Sequence, residues 1–497
     1  IGTIALAVYT TGHSNVAVGS GALSGNTTAS NNTAIGYEAM DQNTTGSSNV
    51  AVGSLCMEAN TTGSNLVTIG VRSLDSNTTG NNNTACGSYA LRENTTASNN
   101  TAVGHGALNV NTTGANNTAV GSGALDGNTT AQDCVAIGLN AMGASNGSYN
   151  TGVGISSLTN ITGNHNVAMG RNTMGGAGAV SYTVAIGDYV LDATSTGDYN
   201  VGIGYSALTE NTSGTRNVAV GNNCLDACTT GNYNTAVGGF ALTRLTTGSD
   251  NVVVGENAAD NLVTGDGNVA VGHDALHDAN GTTDNVSIGR WSMGFRTSGS
   301  YNVAVGQEAG RGGSTSHPAT GDYNTCVGRG AGEDLRSGSN NILIGADAGK
   351  SASPSGTVGT DSNHICIGNN NITDAHVKVA FQTGSDKRDK TDIENFNFGL
   401  DWVNKMRPVT YRWDNRDWYE NGTPDGSKKA PQLELGLIAQ EELEIEKEFG
   451  FAQTKEDMLI SSVNPDGAYT MKYDRIVPVL INAVKELSAK VTALEGK

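Results

Sequence analysis

Residues Asn31–Ser48 read NNTAIGYEAMDQNTTGSS, and close copies of this stretch follow one another from the start of the chain to residue 368. Self-similarity at a fixed period marks an architecture of stacked units. The glycine of the AIG triplet recurs at Gly19, Gly36, Gly53, Gly70 and onward to Gly368, at twenty-one positions in all, so the usual period is seventeen. Two units are shorter by a single position, and two are oversized, 307–328 and 346–368. Three residues before each glycine stands a β-branched residue, as at Val16, Thr33 and Val50. Immediately before it stands an apolar one, as at Val18, Ile35 and Val52, with mostly Ala between them. That alternation has period 2 and predicts a short strand with one large apolar face and one small face.

Ala22-Leu23, Ala39-Met40 and Ala107-Leu108 follow the glycines and predict a second short strand or a turn that closes the coil. The unit ends in NTTG-like turn chemistry. A unit this short, with so few apolar side chains, cannot bury a face alone, whereas stacked units can. The expected fold is therefore mainly β: a parallel β-solenoid of about 21 coils, a rod roughly 95–100 Å long. Pro318 and Pro354 both fall in the oversized units, where insertions sit at coil corners rather than on rungs. Val and Ile are expected to fill the coil. The Ala face would then lie outside, where another copy can approach closely, as in a symmetric oligomer. The alternative is a single-chain solenoid whose Ala faces a tight corner. Asn stands four residues before the glycine in 17 of 21 coils, the pattern of a structural Asn ladder. The NTT triplets match the N-glycosylation pattern but are what an Asn/Thr-rich turn yields, and no glycan is assigned.

Composition narrows the function. A net charge of −19 argues against a general nucleic-acid-binding role. No run of 18 apolar residues exists, so no membrane insertion is expected. The first residue is Ile rather than Met, which reads as a fragment or a processed product. Seven cysteines fit no disulfide framework and mostly replace Val, Ile or Ala, so small buried hydrophobes are expected. The Cys224/Cys228 and His273/His277 pairs are the nearest approach to metal-ligand spacing. Neither is read as a site, and no metal or cofactor is expected.

The period breaks in the connector 369–384, where Ile372 to Phe381 reads as a last strand pair or a connecting segment. From 385 the chain changes character. Residues 383–497 hold three of the four Trp, five of the seven Pro, 16 basic and 21 acidic residues. The remainder holds 12 basic and 26 acidic, so charge density has roughly tripled and a separate small α+β domain is expected over 385–497. It reads as a helix to Met406, a strand at Val409–Trp413, a polar loop at 414–431, a strand at Leu435–Ala439, a helix at Gln440–Phe449, and a strand at Ala468–Met471. A final helix spans Asp474–Leu494. Its apolar residues Ile476, Leu480, Ala483/Val484, Leu487, Val491 and Leu494 suit either packing on its own domain or a short parallel coiled coil.

Residues 384–392, GSDKRDKTD, place Ser385 five positions before Lys390. A serine hydroxyl needs a base, and a lysine serves if burial or a nearby cation keeps it neutral against a solution pKa near 10.4. The spacing alone is uninformative. Its company is not: SDKRDKTDI (Ser385–Ile393), RPVTYRW within Leu400–Trp413, GLIAQE (Gly436–Glu441) and VPVLINAVKELSAKVTALE follow in that order. Together they resemble the C-terminal intramolecular chaperone domain, the S74 peptidase family, of phage tail spikes and tail fibres. The resemblance makes Ser385 and Lys390 the self-cleaving dyad, with Asp386 and Arg388 matching the motif in a positioning role. The NVAVG-type repeats in turn resemble the heads of trimeric autotransporter adhesins, with a longer unit and no membrane-anchor barrel after them.

The function that these resemblances imply is a virion fibre protein, a homotrimer assembled in the host cytoplasm. Its tail would drive trimerisation and folding and then release itself by autoproteolysis at or beside Ser385. The implied partners are a host cell-surface receptor and other virion tail proteins. Two other classes compete. One is a trimeric bacterial surface adhesin with a non-cleaving tail. The other is an enzyme acting on surface polysaccharide, for which the repeats offer only isolated acids such as Glu38, Glu58 and Asp126 rather than a pair in a groove.

Overall fold

The computed structural model describes residues 1–497 except 9, 177, 314–318, 352, 373–374, 377–384, 417–418, 421, 464–466 and 497. The chain forms two compact units, residues 1–308 with 314–320, and residues 309–313 with 321–497. The first carries eighteen three-residue strands, β1 (Val16–Val18) to β18 (Val303–Val305). The second carries β19 (Thr325–Val327), β20 (Ile342–Ile344) and β21 (Ile365–Ile367), then the α+β region.

Each repeat is one coil of a parallel β-solenoid. Val16 pairs with Thr33, Ala17 with Ala34 and Val18 with Ile35. The next coil keeps this register, with Thr33 on Val50, Ala34 on Ala51 and Ile35 on Val52. Among the described residues, the chain turns after each of these strands and forms no second strand in the coil. Leu108, in that turn, has φ 53° and is fully buried, and Leu23, Met40 and Leu91 take the same left-handed conformation at the same place in their coils. These side chains plug the coil. Gly104 has φ 137°, and a Cβ there would lie 2.4 Å from the Gly121 carbonyl oxygen, so the turn after the strand is open only to glycine.

The plug overturns the expected orientation of the strands. In all twenty-one, the middle residue is buried and neither flanking residue is. The centre that faces the coil interior is mostly Ala, and the flanks that face out are almost all Val, Ile or Thr. Where one Leu or Met fills the small coil, the rung opposite has room for little more than a methyl group; where the plug position is Ala259 or Gly349, the strand centre is the larger Val253 or Leu343.

Asparagines line the interior in two columns. Asn100 donates to the Gly114 carbonyl at 3.0 Å, and its Oδ1 accepts the Asn117 amide at 2.9 Å. This is the expected ladder. The second column lies in the NTT turns. Asn111 donates to Asn94 Oδ1 and to the Gly114 carbonyl, both at 2.9 Å, and accepts from Asn128 Nδ2 at 3.0 Å. All of these side chains are fully buried, so turn-to-turn bonding replaces the hydrophobic contacts the sequence lacks.

Six of the seven cysteines are buried as expected, and burial pushes the Cys224 thiol up to about 12 and the Cys228 thiol to about 11. Cys86 departs from the expectation: it is the third residue of its strand and lies half-buried on the outward face.

In the second unit, α1 is Leu400–Lys405, and β22 (Val409–Tyr411) pairs antiparallel with β23 (Glu434–Gly436). Then come α2 (Ala439–Glu448), the antiparallel pair β24 (Ser461–Val463) and β25 (Tyr469–Met471), and α3 (Ile476–Glu495). Among the described residues the tail reading misses β24 and the 3-10 turn Lys387–Asp389, and places the other strands and the α-helices close to where they lie. Trp402, Ile445, Ile460 and Val479 form the core, packed by Phe396, Phe398, Phe449 and Phe451. The expected last strand pair or connector, 369–384, falls largely outside the described residues.

Candidate active site

A single 3-10 turn, Lys387–Asp389, brings two distant ends of a charged stretch together. Asp386 caps the turn, its carboxylate accepting from the Arg388 amide at 2.9 Å. The Arg388 side chain closes on the same carboxylate, with Nη2 at 2.6 Å and Nε at 3.1 Å. The guanidinium holds the Asp386 carboxyl below the usual carboxylate range, and the backbone amide adds to this. The chain leaves the turn extended at Lys390. Its side chain returns so that Lys390 Nζ donates to Ser385 Oγ at 2.6 Å, with both residues exposed. Asp386 and Arg388 thus shape the turn that joins Ser385 to Lys390.

The pair opens onto a largely apolar groove of about 480 Å³. Phe396, Leu459, Ile460, Pro478 and Val479 line it, with Asp474 and Arg475 beside them. Its walls are held from behind. The fully buried Glu446 accepts three backbone amides, from Leu459 at 2.6 Å, Ile460 at 3.1 Å and Ser461 at 2.5 Å. Arg475 Nη1 donates to the Leu459 carbonyl at 3.1 Å. On the other side Asn482 of α3 donates to the Phe396 carbonyl at 2.5 Å. Glu486 of α3 accepts the Leu400 amide at 3.0 Å, a carboxylate at the start of α1 where the helix dipole favours negative charge. Sequence reading did not find the groove, because its residues come from four segments joined only in space. The one signal was the pair Asp474-Arg475 ahead of the apolar run of α3.

Chemically, a hydroxyl 2.6 Å from an amine is within proton-transfer reach. Residues 385–451 match the model of the S74 peptidase family, described as the chaperone of endosialidase. The C-terminal region carries an intramolecular chaperone of that kind. No curated protein and no solved structure matches the chain. The repeats therefore rest on their own geometry, without support for the likeness to adhesin heads. Among the described residues, no helix is long and apolar enough to cross a membrane.

The weaker pairs do not assemble into sites. His273 and His277 each pair with the aspartate next to them, Asp274 and Asp278. Cys224 donates to the Ala236 carbonyl, while Cys228 donates to that of Gly231. Among the described residues no group of three or more His, Cys, Asp or Glu could hold a metal ion.

Proposed function

We propose that this chain is a virion fibre subunit whose C-terminal chaperone aligns three copies and then detaches itself by a Ser385–Lys390 reaction. The observation that carries the reading is the 2.6 Å contact between Ser385 Oγ and Lys390 Nζ at the leading edge of the chaperone match. Lys390, once neutral, takes the Ser385 proton. Oγ then adds to the carbonyl carbon of the peptide bond at or beside Ser385, and that C–N bond breaks as its nitrogen regains the proton. Water hydrolyses the resulting ester. Because the attack is intramolecular, the effective concentration of the nucleophile supplies much of the rate.

Assembly supports the same reading through α3. Val479 and Ala483 are buried against the core, while Leu480, Val484, Leu487, Val491 and Leu494 are exposed at spacings of three and four. That unpartnered stripe suits a parallel bundle of three helices. A neighbouring copy over the exposed dyad would also exclude the water that keeps a lysine charged. Attachment to a host receptor and to other tail proteins belongs to this proposal, since S74 chaperones occur in phage tail proteins.

The test is the expressed full chain on a denaturing gel. The expected result is a released fragment spanning 385–497 that is lost in Ser385→Ala and Lys390→Ala. Lys390→Arg should also block release, because a guanidinium cannot act as a neutral base. Release that persists in all three variants removes the dyad from the mechanism.

A further inference from the structure

We propose that the outward Val/Ile/Thr face of the solenoid strands is the surface on which further copies of this chain pack, in register, around a common axis. This deepens the trimer reading above and locates its long interface on the face opposite to the alanines.

The surface is large and uniform. None of the residues flanking the strand centres is charged. The flank next to the glycine is apolar in every strand, and the other is Val or Ile in fourteen and Thr in seven. Val16 is 49% exposed, Ile69 48%, Val120 36% and Val252 41%, so the stripe holds from coil to coil. At about 4.8 Å per rung, the eighteen strands of the first unit extend it over roughly 80 Å. A stable monomer rarely exposes contiguous apolar patches beyond a few hundred Å². The strands' own hydrogen bonds run to the coils before and after, so nothing on this face calls for a backbone partner. What it lacks is apolar contact.

The periodicity names the occupant. A surface that repeats with every coil is matched along its whole length only by an object with the same rise. Another copy of this chain has that rise. Short β-branched side chains also let two such faces approach closely without long, mobile side chains to order.

Cys86 provides the probe. It lies on this face at the third position of the strand Thr84–Cys86, and the other six thiols are buried. Full-length native protein treated with bis-maleimidoethane should give a cross-linked dimer band. With one thiol per chain in a three-fold assembly, that band is limited to roughly two-thirds of the chains. Cys86→Val should remove it. A Cys86 that reacts with no maleimide until the particle is denatured also supports the interface, because the thiol is then covered. A particle of three chains whose Cys86 takes a monofunctional maleimide freely and never cross-links overturns the proposal, as does a monomer in solution. Ser385→Ala separates this proposal from the previous one. If fragment release is normal and Cys86 takes a monofunctional maleimide freely without cross-linking, only the interface falls. If release never occurs and Cys86 still cross-links, only the dyad falls.

Discussion

Leu108 sits where leucine seldom does, at φ 53° and fully buried. A left-handed leucine costs about 1–2 kcal/mol in backbone energy. Burial of the side chain returns more than that, about 1.5–3 kcal/mol. Leu108→Ala should therefore destabilise the first unit by about 2–5 kcal/mol, read as faster unfolding of that unit. Asn100 makes the complementary case. Its amide donates to the Gly114 carbonyl while its oxygen accepts the Asn117 amide. Asn100→Asp keeps the acceptor and replaces the donor by a buried charge facing a carbonyl. The expected cost is about 2–4 kcal/mol, visible as faster hydrogen exchange at the Asn117 amide and its neighbours. The Asn column was legible in the sequence because its spacing equals the period. The direction of the strand was not. VAV reads equally well with valine in or out until the volume of the Leu plug is known, and no pattern rule expects a leucine at positive φ.

At the scale of elements, α2 works as a bracket. Glu446 fixes the 459–461 segment by three amides, and that segment forms one wall of the groove beside Ser385. Glu446→Gln keeps at most one oxygen for three donors. It should cost roughly 2–3 kcal/mol in the stability of the C-terminal region and slow fragment release, measured by thermal unfolding and by gel densitometry. Glu442, one turn earlier, is buried against the Trp402 indole, which donates to it at 2.7 Å. Burial pushes its carboxyl above the ordinary value of 4.5; the Trp402 contact opposes the shift and Glu446 adds to it. The folded state thus holds this proton more tightly than the unfolded chain. The stability it contributes is complete below the ordinary glutamate value and falls as pH rises through the higher folded value. Glu442→Gln retains an acceptor for the indole, so it should flatten that pH dependence in chemical denaturation and stabilise the region at neutral pH. The final helix of this region was legible from its helical periodicity. The groove was not, since Phe396, Leu459 and Val479 share no sequence pattern.

At the scale of the whole molecule the difficulty is register. Most rungs offer the same kind of strand and the same Asn bonds, so over the regular coils a slip by one coil loses little beyond the contacts at the two ends. Equivalent minima one repeat apart make a rugged folding landscape, and an end that can associate in only one alignment removes the degeneracy. α3 can supply such an end, because its exposed apolar stripe is short, from Val477 to Leu494, and does not repeat along the chain as the rungs do. If the aligned particle then loses this end, unfolding becomes a one-way process. The mature assembly would then be held by a high barrier rather than by ready re-equilibration. Denaturation and dilution separate the two cases. Ser385→Ala, which keeps its tail, should regain Cys86 cross-linking after refolding. The cleaved wild-type particle should not regain it, and should instead recover as misaligned or aggregated chains. Adding the same tail as a separate chain should rescue little, because the alignment depends on its covalent attachment. Equal recovery of cleaved and uncleaved particles would mean that the repeats find their own register and that the tail is dispensable for it.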